Sequence, residues 1–87
     1  MIRVIVPTHL RSYTNGLAEV DAVGRTLGEV LADLDARFPG MRFRIVDEQD
    51  RMRKHIKFFV AGEMAPDLSL AVRDGDEVMI VAALSGG

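Results

Sequence analysis

The chain has 87 residues, 48% of them apolar and 28% charged, with a net charge of −2 and no cysteine. That length gives one small domain, which buries roughly 60–65% of its unfolded surface and so folds with little margin. The composition excludes disulfides, thiolate metal sites and a cysteine nucleophile, and the slight acidity argues against a nucleic-acid binder that relies on bulk positive charge.

Ile2-Arg3-Val4-Ile5-Val6 is β-branched apart from Arg3 and reads as a strand that Pro7 limits. A polar turn region spans residues 9–16, with Asn15-Gly16 as a hairpin signal, and residues 18–23 alternate as a returning strand. Thr26 and Glu29 then open a helix in capping-box spacing, where each side chain satisfies a free N–H. Leu27, Val30, Leu31, Leu34 and Phe38 form its apolar stripe, and Pro39-Gly40 stops it.

Residues 41–46 are expected as a short strand and residues 47–54 as an exposed loop. Residues 56–61 read as a strand, Gly62-Glu63 as a turn, and residues 66–71 as a loop with a short helical turn. Asp74-Gly75-Asp76 is a tight turn feeding a last strand from Glu77 to Val81 or Ala82. The order is β-β-α-β-β with room for one short extra strand. A two-layer α+β domain follows, a mixed sheet of four or five strands with one main helix across one face.

Alternation assigns Ile2, Val4, Val6, Val20, Ala22, Ile56, Phe58, Val60, Val78 and Ile80 to the helix-covered core. It leaves Ile5, Phe59, Met79 and Val81 on the other side, a candidate partner-docking patch. Glu29, Asp33 and Asp35 read as a solvated helix face rather than a catalytic set, and His9 and His55 stand isolated, without ligand spacing. The serines lie in no nucleophile elbow, and no glycine run cradles phosphate. Arg51, Arg53, Lys54, His55 and Lys57 form a local basic cluster, a solvated loop or a site for an acidic partner surface.

With no candidate catalytic set in the body, the chemistry is expected at Gly86-Gly87, where two residues without Cβ make a slim tail whose α-carboxylate nothing shields. A frayed end is the competing reading. The domain is placed at residues 1–83 and a flexible tail at 84–87.

Taken together, these pieces resemble the ThiS/MoaD family of ubiquitin-like sulfur carrier proteins over essentially the whole chain. The resemblance rests on the β-grasp order of elements, on Thr26-Leu27-Gly28-Glu29-Val30, on Phe59-Val60-Ala61-Gly62-Glu63, on Asp74-Gly75-Asp76-Glu77-Val78 and on the Gly86-Gly87 end. Residues 6–11, Val-Pro-Thr-His-Leu-Arg, and the Thr14-Asn15-Gly16 turn look closest to the carriers that serve cysteine synthesis. Ala82 and Ala83 stand where a proline is often found, and Leu84-Ser85 replaces the more usual Val-Ala or Ile-Ala.

No apolar stretch reaches a membrane-spanning length and no basic-then-apolar signal pattern opens the chain, so a cytoplasmic protein is the expected default. The resemblance implies a carrier rather than an enzyme, with no bound cofactor. An E1-like adenylyltransferase would use ATP to convert the Gly87 carboxylate to an acyl-adenylate, and a sulfide or persulfide donor would then give a thiocarboxylate. Leu84, Ser85 and Gly86 would thread the partner active sites, and Ile5, Phe59, Met79 and Val81 would dock the body. A sulfur-accepting biosynthetic enzyme is the second implied partner and a C-terminal processing protease a third, with no nucleic acid and no membrane. Cysteine synthesis is the favoured client, with molybdopterin synthesis or another thiolation open. A lysine-conjugated ubiquitin-like modifier and a plain interaction domain stand as alternatives.

Overall fold

A computed structural model describes residues 1–82. The expected tail, Leu84 to Gly87, lies outside the described residues, as does the boundary placed after residue 83. Five strands form one mixed sheet in the order β2-β1-β5-β3-β4, comprising β1 (Ile2–Ile5), β2 (Glu19–Ala22), β3 (Ile56–Val60), β4 (Glu63–Met64) and β5 (Glu77–Ala82). β1 and β5 run parallel at the centre, and the other pairs are antiparallel. Helix α1 (Leu27–Arg37) crosses one face, giving the expected β-grasp architecture.

The sheet register explains the core. Val20, Val4, Val78 and Val60 stand side by side across four strands, flanked by Ala22 beside Ile2 and Phe58 beside Ile80. All ten residues assigned to the core by alternation are buried, as are Leu27, Val30, Leu31 and Leu34 of α1. Burying a side chain of this size is worth about 1.5–3 kcal/mol.

The start of α1 satisfies its own polar groups. The Glu29 N–H donates to Thr26 Oγ1 at 3.2 Å, and Glu29 Oε1 accepts from the Arg25 N–H at 2.9 Å, one residue before the N-cap. The loop at residues 66–71 supplies the rest, since the Leu27 and Gly28 N–H groups donate to the carbonyls of Leu70 and Leu68. That loop forms a turn at Leu68-Ser69 and bridges Thr26 through Ala71.

β1 and β2 pair antiparallel, as the hairpin reading expects. Three local expectations are refined or corrected. The polar turn region between those strands contains a 3-10 helix, Thr8–Thr14, which Asn15 ends with a left-handed φ of 57°. The hydroxyl of Thr14, wholly buried, lies 2.8 Å from the Leu17 carbonyl and anchors this turn from inside.

The expected strand at residues 41–46 is instead a one-turn helix, α2 (Met41–Ile45). A strand would put Met41, Phe43 and Ile45 on one face, yet Met41 and Ile45, four residues apart, enter the core together with Val46 just after the helix, while Phe43 faces solvent. Asp35 Oδ1 decides it by accepting from the N–H groups of Gly40 and Arg42 at the helix start.

β3 ends at Val60, one residue earlier than expected, because Ala61 and Gly62 both have positive φ, 51° and 87°, and form the two-residue turn to β4. The turn at Asp74-Gly75 is as expected. Gly75 has φ 91° and donates its N–H to the Met1 carbonyl.

Candidate interaction surface

The face of the sheet opposite α1 carries an apolar row. Ile5 on β1 stands beside Met79 on β5, Met79 beside Phe59 on β3, and Phe59 beside Met64 on β4. Ile5 and Phe59 are half-buried, whereas Met79 and Met64 are 39% and 58% exposed. Val81, 37% exposed, sits one row further along β5 opposite Lys57. Three of the four residues named from alternation are therefore direct neighbours, and the fourth lies at the edge of the row.

Met64 joins the row without having been foreseen. The signal was in the sequence, because an Ala61-Gly62 turn of two residues sets Glu63 opposite Val60 and Met64 opposite Phe59. Charge frames one end of the row: Arg3 pairs with Glu19 at 3.6 Å and with Glu77 at 3.9 Å. These exposed pairs add little stability, but they hold the rim polar.

β5 leads directly from this row toward Gly87. Its last described residue, Ala82, pairs with Ile56 at the start of β3, and β1 has already stopped at Ile5 beside Met79. The root of the expected tail is thus beside Lys57 and the exposed Lys54 and His55.

The acidic residues of α1 have structural partners. Asp33 accepts from the Val23 N–H at 3.1 Å and pairs with Arg37, while Glu29 and Asp35 cap helices. His9 and His55 are both exposed, and among the described residues no three His, Cys, Asp or Glu groups gather around a point where a metal ion would sit.

The basic cluster divides. Arg51 is tied to Asp47 and Gln49, whereas Lys54, His55 and Lys57 form no ion pair with a described residue. Asp47 is held below the usual carboxylate range, first by the Arg51 N–H and then by the Gln49 N–H, which both donate to its Oδ1. No helix among the described residues is long and apolar enough to cross a membrane.

The ThiS family model matches residues 4–87, which spans the sheet, both helices and the glycine end. The chain belongs to the ThiS family. Sulfur carrier protein CysO of Mycobacterium tuberculosis strain H37Rv is 35% identical to this ThiS-family chain over 91 aligned positions, covering 99% of the chain and 98% of the relative. Among solved structures, a chain of the Amycolatopsis orientalis BexX/CysO complex superposes with a TM-score of 0.93 at 33% identity, with both chains fully covered. Haloferax volcanii SAMP1 superposes at 0.78 with 26% identity, covering 99% of the chain and 98% of SAMP1.

Proposed function

We propose that this ThiS-family chain is a sulfur carrier whose active group is the α-carboxylate of Gly87. The observation that carries the reading is the 35% identity to sulfur carrier protein CysO along essentially the full length of both chains. The family match running through Gly87 supports it further.

The chemistry follows from what a carboxylate lacks. It is a poor electrophile, so an E1-like enzyme lets its oxygen attack the α-phosphorus of ATP, and pyrophosphate leaves. The resulting acyl-adenylate has AMP as a good leaving group. Sulfide adds to the acyl carbon, the C–O bond to AMP breaks, and Gly87 keeps a thiocarboxylate. Its sulfur is nucleophilic and passes to an electrophilic substrate inside a second enzyme, with cysteine synthesis the preferred client. A carrier charged at the expense of ATP works in the cytoplasm and acts as co-substrate, the catalysis residing in its partners.

In this reading Leu84, Ser85 and Gly86 thread the partner sites, with Gly86 and Gly87, which carry no Cβ, fitting the narrowest part of the channel. The row of Ile5, Met79, Phe59 and Met64, with Val81, docks the body, as exposed apolar patches of this kind do.

Incubation with the E1-like enzyme, ATP and sulfide, followed by intact mass, tests the proposal. The expected gain equals one oxygen replaced by sulfur, localised to Gly87. Gly87→Val is expected to abolish the gain while leaving the fold unchanged by circular dichroism; normal sulfur uptake by that variant would defeat the reading. The likeness to SAMP1 favours a second reading, a modifier joined to lysines through Gly87. Isopeptide adducts in cells would distinguish it.

A further inference from the structure

The overall charge of −2 conceals a polarised molecule. The end of the sheet where β5 stops gathers the 3-10 helix, α2 and the segment leading into β3, for the Arg53 N–H donates to the Ile45 carbonyl and Ile56 to Arg53. This end carries Arg11, Arg42, Arg44, Arg51, Arg53, Lys54 and Lys57, opposed by Glu19 on β2 and by Asp47, Glu48 and Asp50, of which Asp47 pairs with Arg51 and Asp50 with Arg42. The opposite end carries Asp21, Glu63, Asp74, Asp76 and Glu77 against Arg3, Arg25, Arg73 and the N-terminal amine, which pairs with Asp74.

Two arginines at the basic end are fixed in place. Arg53 Nε donates to the Phe43 carbonyl at 2.9 Å, and its guanidinium lies 4.9 Å from the centre of the Phe43 ring. Arg44 Nε donates to the Tyr13 hydroxyl at 2.6 Å, with its guanidinium 5.6 Å from that ring. The terminal nitrogens of both guanidiniums bond to no described residue. Phe43 itself is 56% exposed. Arginines and aromatics held in this way lose little freedom on binding, which is what makes such residues dominate interface energies.

We propose that Phe43, Arg44, Arg53 and Lys54 form a second docking surface, distinct from the apolar row, which seats on an acidic rim with an apolar recess beside the tail-accepting channel of the activating enzyme. The proposal rests on the sulfur-carrier reading. Five residues separate Ala82 from the Gly87 carboxylate, and five extended residues span at most about 18 Å. An enzyme that reaches Gly87 must therefore bring its channel mouth against this end of the sheet. Complementary charge on that rim steers the encounter and fixes the angle at which the tail enters.

Two measurements on the full chain decide the matter. In the first, the isotope-labelled chain is titrated with a glutamate decamer at low salt, with a lysine decamer as control. Amide shifts confined to Phe43, Arg44, Arg53 and Lys54, lost in the Arg44→Glu/Lys54→Glu double variant, support the surface. No shifts, or shifts spread evenly over the chain, overturn it. In the second, adenylation by the E1-like enzyme is followed as pyrophosphate exchange. The double variant is expected to raise KM about tenfold and steepen no other step, with kcat within about twofold of wild type. An unchanged KM overturns the proposal. Should wild type not be adenylated at all, the carrier reading fails, while the titration still decides whether the surface binds acidic chains.

Discussion

Gly24 shows how little room the core leaves. A Cβ built there meets the Val30 backbone nitrogen at 2.7 Å and the Glu29 carbonyl carbon at 3.0 Å, both on α1. Backbone atoms of a packed helix cannot step aside cheaply, so Gly24→Ala is expected to lower stability by about 1–3 kcal/mol. Urea unfolding measures this; a loss below a few tenths would show that the β2–α1 connection has slack. Asp47 works through charge rather than volume. The N–H groups of Arg51 and Gln49 depress its pKa in the folded chain below the unfolded value. Its contribution is therefore present above the unfolded pKa and is lost as pH falls through the lower folded one. The amide shifts of Gln49 and Arg51 should titrate together in that acid window. In Asp47→Asn they should not titrate there, and a persistent titration would assign the effect to another carboxylate.

The hairpin of β3 and β4 places an alanine where the backbone asks for something else. Ala61 takes a left-handed φ of 51° in a two-residue turn completed by Gly62. Asparagine tolerates that region far better, and Asn-Gly is the preferred pair for such a turn. Ala61→Asn is accordingly expected to stabilise the chain by about 0.5–1 kcal/mol, seen as a rise in the thermal midpoint. A fall would mean that the exposed alanine makes contacts worth more than its strain. The element also matters functionally, because its register carries Met64 to Phe59 and widens the apolar row.

The whole molecule divides labour between two faces of one sheet. One face packs α1 and supplies the stability; the other presents Ile5, Met79, Phe59 and Met64 at no cost to the core. Met79→Lys should thus leave the unfolding free energy within about 0.5 kcal/mol of wild type, as exposed positions do. Its effect should fall on the partner, raising the KM for adenylation with kcat little changed. Equal loss of both constants would point instead to a displaced tail. β5 joins the halves, since its inner residues Val78 and Ile80 lock it in the core while Ala82 fixes where the last five residues begin.

Periodicity in the sequence was enough for α1, for the sheet core and for three of the row residues, because a buried face repeats at fixed spacing along a single segment. The family was legible in the same way, from the order of Thr26–Val30, Phe59–Glu63, Asp74–Val78 and the closing glycines. Tertiary structure alone decided what depends on contacts between distant segments. Asp35 turns residues 41–45 into a helix by capping it from α1, and the buried Thr14 hydroxyl holds a 3-10 turn inside the β1–β2 hairpin that Asn15-Gly16 signalled. The pairing of Arg53 with Phe43 and of Arg44 with Tyr13 bridges 10 and 31 residues of chain. No local pattern encodes such pairs; they exist because the fold brings both loops to the end of the sheet from which Gly87 is reached.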